Sequence, residues 1–332
     1  MRCRKASPPY EANPGKGRVP AKNLITLDKS ASHATPAALG AHYLAPMKPT
    51  TVNRFESRLK RVADHLAAHL DEPQSLDRLA EVAAMSPFHF HRLWTATMGE
   101  TVAASIRRLR LQHAAHQLRT STAPITDIAL SAGFASAQAF ARAFRAACGA
   151  TPSEYRDAPA EWSAPVLDPA SSVSPLLEVR LVHMEPLSIV AMRRTGAYTD
   201  NDLAEDFQVP WAWAEGEGFL DALRGIYGVP WNDPEVAEVP VFFAGLDLGA
   251  CPPPPAPLEV MELGGGEYAV TRVVGPYAGV DDACAALYRD WLPASGREPA
   301  DAPLFHHYID DPESTPEHAL RTDIYLPLQP LR

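Results

Sequence analysis

The sequence predicts two folded domains of different class, an all-α domain followed by an α+β domain. Three observations carry this. "LDRLAEVAAMSPFHFHRLW" (76–94) and "ITDIALSAGFASAQAFARAF" (125–144) align at a shift of 49–50 residues, with Leu79 on Ile128, Met85 on Phe134, Phe90 on Phe140 and Trp94 on Phe144. A Pro/Ser/Ala stretch, 158–175, then breaks the helical period. Beyond it a second repeat appears, "GAY" at 196–198 returning as "GPY" at 275–277 and "NDPE" at 232–235 as "DDPE" at 310–313. A duplicated strand–helix–strand–strand unit accounts for that spacing.

The expected boundaries follow. Residues 1–52 carry seven prolines and scattered Lys/Arg with no period, and read as a disordered basic arm; Met47 is an alternative start. Residues 53–157 form the helical domain, 158–175 the linker and 176–332 the α+β domain. Net charge runs +6, +3 and, from 158 onward, −19. A basic front and an acidic back point to two different partners, and only the front suits a polyanion. No apolar run approaches the length of a membrane span, and no secretory leader is evident, so a cytoplasmic protein with no membrane partner is expected. Four separated cysteines have no metal spacing.

In the helical domain, Val62, Leu66 and Leu70, then Leu76, Leu79 and Ala80, keep a 3–4 spacing. "MSPFHFHRLW" (85–94) raises the question of a histidine metal site. With Ser86 as N-cap and Pro87 as first helical residue, His89 and His91 point about 200° apart, so they cannot share an ion. Phe90, Leu93, Trp94 and Thr97 form an inward stripe; Phe88, His91, Arg92 and Thr95 form an outward one. His89 falls between the faces, with at most a backbone phosphate contact. The second copy divides the same way, with Phe140, Ala143, Phe144 and Ala147 inward and Gln138, Ala141, Arg142 and Arg145 outward. Gln and Arg on an outward face suit adenine and guanine edges in a major groove.

With "GET" (99–101), "RRLRL" (107–111) and "FARAFRAACGATPSEYR" (140–156), residues 54–157 resemble the double helix-turn-helix DNA-binding domain of AraC-type transcription regulators. The resemblance implies that Phe88, His91, Arg92, Gln138 and Arg142 face base edges, with Thr95 beside them. It makes Ser86, Ser136, Arg107, Arg108, Arg110, Arg145 and Arg156 candidates for phosphate contacts. Ala137 and Ala141 stand where relatives are often polar. RNA polymerase is a further candidate partner.

"VAMRRTGAY", "IYGVPWNDPE", "GGGEYAVTRVVGPYAGV", "YRDWL" and "RTDIYLPL" resemble a GyrI-like effector-binding domain. This implies two pseudo-symmetric βαββ halves around a cleft for a small molecule. Tyr198, Trp211, Trp213, Tyr227, Trp231, Tyr268, Tyr277, Trp291 and Tyr308 supply the aromatic candidates. His306 stands where relatives commonly have a glutamate, which counts against a preference for a cation; a neutral His306 could hydrogen-bond a polar ligand or switch charge with pH, and the ligand expected is small and aromatic or lipophilic. "GGGE" (264–267) lacks the Lys-Ser/Thr of a phosphate loop, and "CPPPPAP" (251–257) reads as a connector. The expectation is a ligand-sensing regulator with no cofactor, metal or catalytic role. The alternatives are a hydrolase of strained cyclopropane-type toxins, or a protein-inhibitor module, in the back half.

Overall fold

The computed structural model describes residues 54–158, 177–196, 200–231 and 240–331. The expected arm, most of the linker, Tyr198 and "NDPE" (232–235) lie outside these residues.

The helical domain runs α1 (Arg54–Ala68), α2 (Leu76–Ala83), α3 (Pro87–Met98), α4 (Val102–Thr120), α5 (Ile125–Ser131), α6 (Ala137–Cys148) and α7 (Pro152–Asp157). Each start has a local cause. Ser75, Ser86, Thr101, Ser136 and Thr151 all accept a hydrogen bond from the backbone N–H three residues on, satisfying one of the helix's orphan donors. Thr151 and Glu154 complete a reciprocal capping box. α3 and α6 both end on a glycine in the left-handed region, Gly99 and Gly149.

Two helix-turn-helix units result, α2–α3 and α5–α6, with α4 between them. Their turns differ by the residue the alignment demanded. The first bends at Ala84, a non-glycine at φ 53°, and the second at Gly133, φ 72°. A Cβ at Gly133 would stand 2.6 Å from the Arg110 guanidinium, which a long side chain can move, so it is the positive φ that calls for glycine in this turn.

The second domain is one eight-stranded antiparallel sheet, ordered β1-β6-β8-β7-β3-β4-β2-β5. The strands are β1 (Val179–Met184), β2 (Leu187–Thr195), β3 (Gly225–Pro230), β4 (Val241–Asp247), β5 (Leu258–Leu263), β6 (Gly266–Val274), β7 (Phe305–Tyr308) and β8 (Arg321–Leu328). α8 (Asp200–Glu217) follows β2, and α9 (Gly279–Ala286) follows β6. α9 runs through a π-turn, Leu287–Trp291, into α10 (Leu292–Ser295). This is the expected βαββ repeat: β2 and β6 are each followed by a helix, and β3 and β7 pair at the middle of the sheet.

Directly opposed strand residues share a face. Val190 opposes Leu246, Leu246 opposes Ile226, Ile226 opposes Tyr308, and Tyr308 opposes Thr322. Val190 and Leu246 pack with Ala214 of α8, while Ile324 and Leu326 pack with Ala283 and Leu287 of the α9 segment. Both helices therefore cover one face. The other face carries its own cluster, including Ile189, Tyr227, Val229, Tyr268 and Phe305.

All described residues belong to one compact unit. Its cores are unequally shared. Phe55 and Leu66 of α1 and Leu79, Phe90 and Trp94 of the first helix-turn-helix form a single cluster with Val280, Cys284, Tyr288, Ile324 and Leu326 of the sheet domain. The second helix-turn-helix has a separate core of Leu118, Ile128, Phe140, Phe144 and Tyr155.

Candidate nucleic-acid interface and ligand cleft

In α6 the inward stripe is anchored by Phe140 and Phe144, both fully buried; their rings meet at 5.4 Å, and Phe134 and Tyr155 close the cluster edge-on. Ala147, expected inward, is exposed, because it lies in the last turn before Gly149. The opposite face presents Gln138, Arg142 and Arg145, all exposed, at the i, i+4, i+7 spacing of one stripe. Ser136 sits at the helix N-terminus, where N–H groups and the dipole favour a phosphate. The arrangement can offer an amide and two guanidinium groups to a groove.

α3 has the same local design and a different environment. Phe90, Leu93 and Trp94 are buried as expected, and Trp94 Nε1 donates to Ser105 Oγ at 2.9 Å. The face expected to look outward is largely covered. His91 is 1% exposed, with its Nε2 3.2 Å from Thr95 Oγ1. Phe88 is half-buried against the shared core, and the Arg92 guanidinium lies 5.0 Å from the Phe88 ring centroid. Ser86 and Thr95 are half-buried. α3 also packs on α9 and the π-turn, where Phe88 joins the shared core.

His89, which helix geometry left idle, is the centre of that contact. Its Nε2 lies 2.6 Å from the Ala300 carbonyl and its Nδ1 2.6 Å from the Tyr288 hydroxyl. A carbonyl can only accept, so Nε2 carries the proton and Nδ1 accepts from Tyr288. Burial pushes His89 down to about 4, so the ring is neutral. At the rim, Glu298 pairs with Arg54 at 2.5 Å and Arg58 at 2.6 Å.

The phosphate candidates divide. Arg107 and Arg145 are exposed. Arg110 instead donates to the Leu70 and Glu72 carbonyls, both at 2.9 Å, tying α4 to the end of α1. Arg108 is held by Glu100, whose carboxylate also accepts from Ser105 at 2.7 Å. Arg156 donates to the Ala123 carbonyl at 2.6 Å. These three are corrected to structural guanidinium groups, each engaged inside its own domain.

In the sheet domain, the aromatic candidates do not converge. Tyr277, His306 and Tyr308 share the helix-side face, and Tyr308 stands edge-on between Tyr277 (5.4 Å) and Phe207 of α8 (5.6 Å). Gly228 opposes His306, and a Cβ there would meet the Tyr308 hydroxyl at 2.8 Å; the missing side chain makes room for the strip. Tyr227 faces the other way. It stacks on His307 at 4.6 Å, while Phe305 stacks on Tyr325 at 4.8 Å, with Tyr268 edge-on to both. Trp211 and Trp213, on α8, pack against the cluster of Val190, Leu246 and Leu258, Trp291 packs on the shared core, and Trp231 is 48% exposed against Phe243. As lining of a single cleft, Trp211, Tyr227, Trp231 and Trp291 are corrected, whereas Phe207 was missed.

His306 is buried, 3.8 Å from Cys284 Sγ. Desolvation, with a smaller push from Arg92, lowers it to about 3. The buried carboxylates are already engaged: Asp206 by Arg194, Asp323 by Arg272 and Arg180, and Asp247 by the Gly249 N–H. The helix-side strip can therefore offer ring faces and hydroxyls to an uncharged molecule.

Residues 79–158 match the family described as helix-turn-helix domain, and residues 177–329 match the GyrI-like small molecule binding domain. Transcriptional regulator Rob of Salmonella typhimurium is 30% identical over 242 residues, which span 69% of this chain and 82% of Rob. The chain belongs to the AraC-type transcription regulators. Its back half is the GyrI-like effector domain of such a regulator. The Right origin-binding protein of Escherichia coli is 44% identical over 99 residues, 30% of this chain and 34% of that protein, so the match spans about a third of that relative. Among solved structures, a transcriptional regulator with an AraC-type DNA-binding domain from Chromobacterium violaceum is 27% identical, covering 32% of this chain and 96% of that one, with a TM-score of 0.30. In this AraC-type regulator the second helices of the two helix-turn-helix units stand differently, α6 with an exposed face and α3 packed on the effector domain. No helix of the described residues is long and apolar enough to cross a membrane.

Proposed function

We propose that the regulator works in the cytoplasm as a one-component, non-enzymatic switch, reading duplex DNA through α6 and α3 and sensing a small, uncharged aromatic or lipophilic molecule. Gln138 and Arg142 contact base edges, Arg145 and Arg107 contact phosphates, and Ser136 seats a phosphate at the start of α6. Phe88, His91, Arg92 and Thr95 take the matching roles on α3, with Ser86 at its start. Two such helices enter successive major grooves about 34–36 Å apart, so one chain can read an asymmetric site. RNA polymerase is the partner through which bound protein would act on transcription.

The observation that carries this reading is the exposed Gln138–Arg142–Arg145 stripe on a folded, capped helix whose other face is anchored by the buried Phe140 and Phe144. For the ligand, support comes from the strip of Phe207, Tyr277, His306 and Tyr308, which has ring faces and a neutral imidazole. A hydrolase has less support. Cys284 and His306 are buried, and desolvation pushes the thiol up to about 12, away from a nucleophilic thiolate.

The test is selection. Purified full-length protein is mixed with sheared DNA of its own genome, and bound fragments are sequenced. Discrete, reproducible enrichment is expected; fragments recovered in proportion to their abundance would remove the DNA reading.

A further inference from the structure

We infer that the effector domain docks on the first recognition helix and withholds it from DNA, so that the closed regulator reads with α6 alone and gains α3 only when this contact opens. The inference rests on the reading of α3 as a DNA-contacting helix. It adds a surface, the α9–π-turn face of the effector domain, and names its occupant.

Three independent features fit an interface that can open. The first is geometry. His89, Arg92 and Ala96 follow i, i+3, i+7 and so share a stripe of α3; His89 and Ala96 are buried, and His89 spends both ring nitrogens on Tyr288 and Ala300. Arg92 lies close enough to Cys284, Tyr288 and His306 to act on each electrostatically. Of the face expected at base edges, Arg92 is thus turned to this protein surface and Phe88 packs on the shared core, so a duplex cannot reach those two side chains while the contact is closed.

The second is charge. The effector half carries −19 while the helical domain carries +3. At the seam, one carboxylate, Glu298, receives both Arg54 and Arg58. Glu81, Glu298 and Asp301 border a groove of about 480 Å³ that runs past Met85, Ser86 and Pro87, the turn that leads into α3. An acidic effector surface that holds α1 through Arg54 and Arg58 competes with the phosphates that would draw this basic domain onto DNA.

The third is asymmetry between the repeats. The second unit has a complete core of its own and leaves Gln138, Arg142 and Arg145 in solvent. Only the first unit shares its core with the effector domain. The helix-side strip that we assign to ligand lies on that same face, since Ile324 opposes His306 and packs in the shared cluster. A ligand that binds the open form better would shift the equilibrium, and by no more than its differential affinity.

The experiment uses the full-length protein and two effector-side substitutions that leave every DNA-reading residue intact. Tyr288→Phe deletes the hydroxyl that His89 accepts from, and Glu298→Gln weakens the pairs to Arg54 and Arg58 at the rim. Affinity and hydroxyl-radical footprints are measured on a duplex selected from the source genome, with circular dichroism to verify the fold. The native chain is expected to protect the major groove over one turn. Each variant should extend protection to the neighbouring turn and bind about five-fold more tightly, the worth of one hydrogen bond. In the variants, Arg92→Ala should then weaken binding, while in the native chain Arg142→Ala carries most of the loss. A native chain that already protects two turns, or variants with native affinity and footprint, would overturn the inference while leaving the DNA reading intact. Failure of native chain and variants alike to bind any selected duplex would remove the DNA reading, and the docking inference with it.

Discussion

Lowering the pH from about 7.5 to about 5.5 should loosen the contact between α3 and the effector domain, through His89. In the closed form its Nε2 donates to the Ala300 carbonyl and its Nδ1 accepts from Tyr288, so a second ring proton has no acceptor already in place. Around it stand Tyr288, the 300–302 backbone, Arg92, which disfavours a charged ring, and Asp301, which favours one. Desolvation is the largest influence and holds the closed-state value at about 4, against 6.5 for a solvated histidine. A depressed histidine contributes fully above its solvated value, and that contribution drains away as pH falls toward the closed-state value. At about pH 5.5 the open form is favoured by about 1.4 kcal/mol more than at neutral pH, a ten-fold shift. His306, lowered further, acts in the same direction wherever opening wets it. The assay is a histidine NMR titration of the full-length protein, with the Trp291 indole N–H, packed on the shared core, reporting the contact. His89→Gln keeps a donor and an acceptor but cannot titrate, and should flatten most of the response. A His89 that titrates near 6.5 in the full-length protein, or a Trp291 signal unchanged across this range, would refute the reasoning.

Two further outcomes test the helical domain. Ala84→Gly should raise stability by about 1 kcal/mol in a urea titration, since Ala84 sits at φ 53° where glycine carries no Cβ penalty. Phe140→Ala should cost about 3–5 kcal/mol and melt the second unit's core, because the ring is fully buried among Phe134 and Phe144; a loss below about 1 kcal/mol would mean the site collapses around the gap.

Much of the fold was legible because its signals are local. Ser86 and Pro87 mark the start of α3 within the sequence itself, and the Phe90–Leu93–Trp94 and Phe140–Phe144 stripes follow from 3.6 residues per turn. The repeats at 49–50 and at 78–79 residues anticipated two helix-turn-helix units and a sheet built twice over. The site was less legible where partners are remote. His89 meets Tyr288 and Ala300, 199 and 211 residues downstream, and helix geometry says nothing about a second domain arriving on an exposed face. Arg108, Arg110 and Arg156 looked like phosphate ligands because sequence shows their charge and not the Glu100 carboxylate or the Leu70, Glu72 and Ala123 carbonyls that hold them. The cleft failed through parity. On β3 the residue that opposes His306 is Gly228, so Tyr227 one position earlier must face the other side of the sheet. Reading β3 and β7 together would have separated them, but their register is set by pairing that sequence alone does not display.

The central claim, that this regulator reads sequence with an exposed recognition helix, is tested most directly by the affinity of Arg142→Ala on a selected duplex and on random DNA at one salt concentration. Arg142 is exposed on α6, and its loss should leave the melting temperature nearly unchanged. A loss of about 1–3 kcal/mol is expected on the selected duplex and little on random DNA. An equal loss on both would make Arg142 a phosphate contact, and no loss on either would contradict the claim that α6 enters the groove.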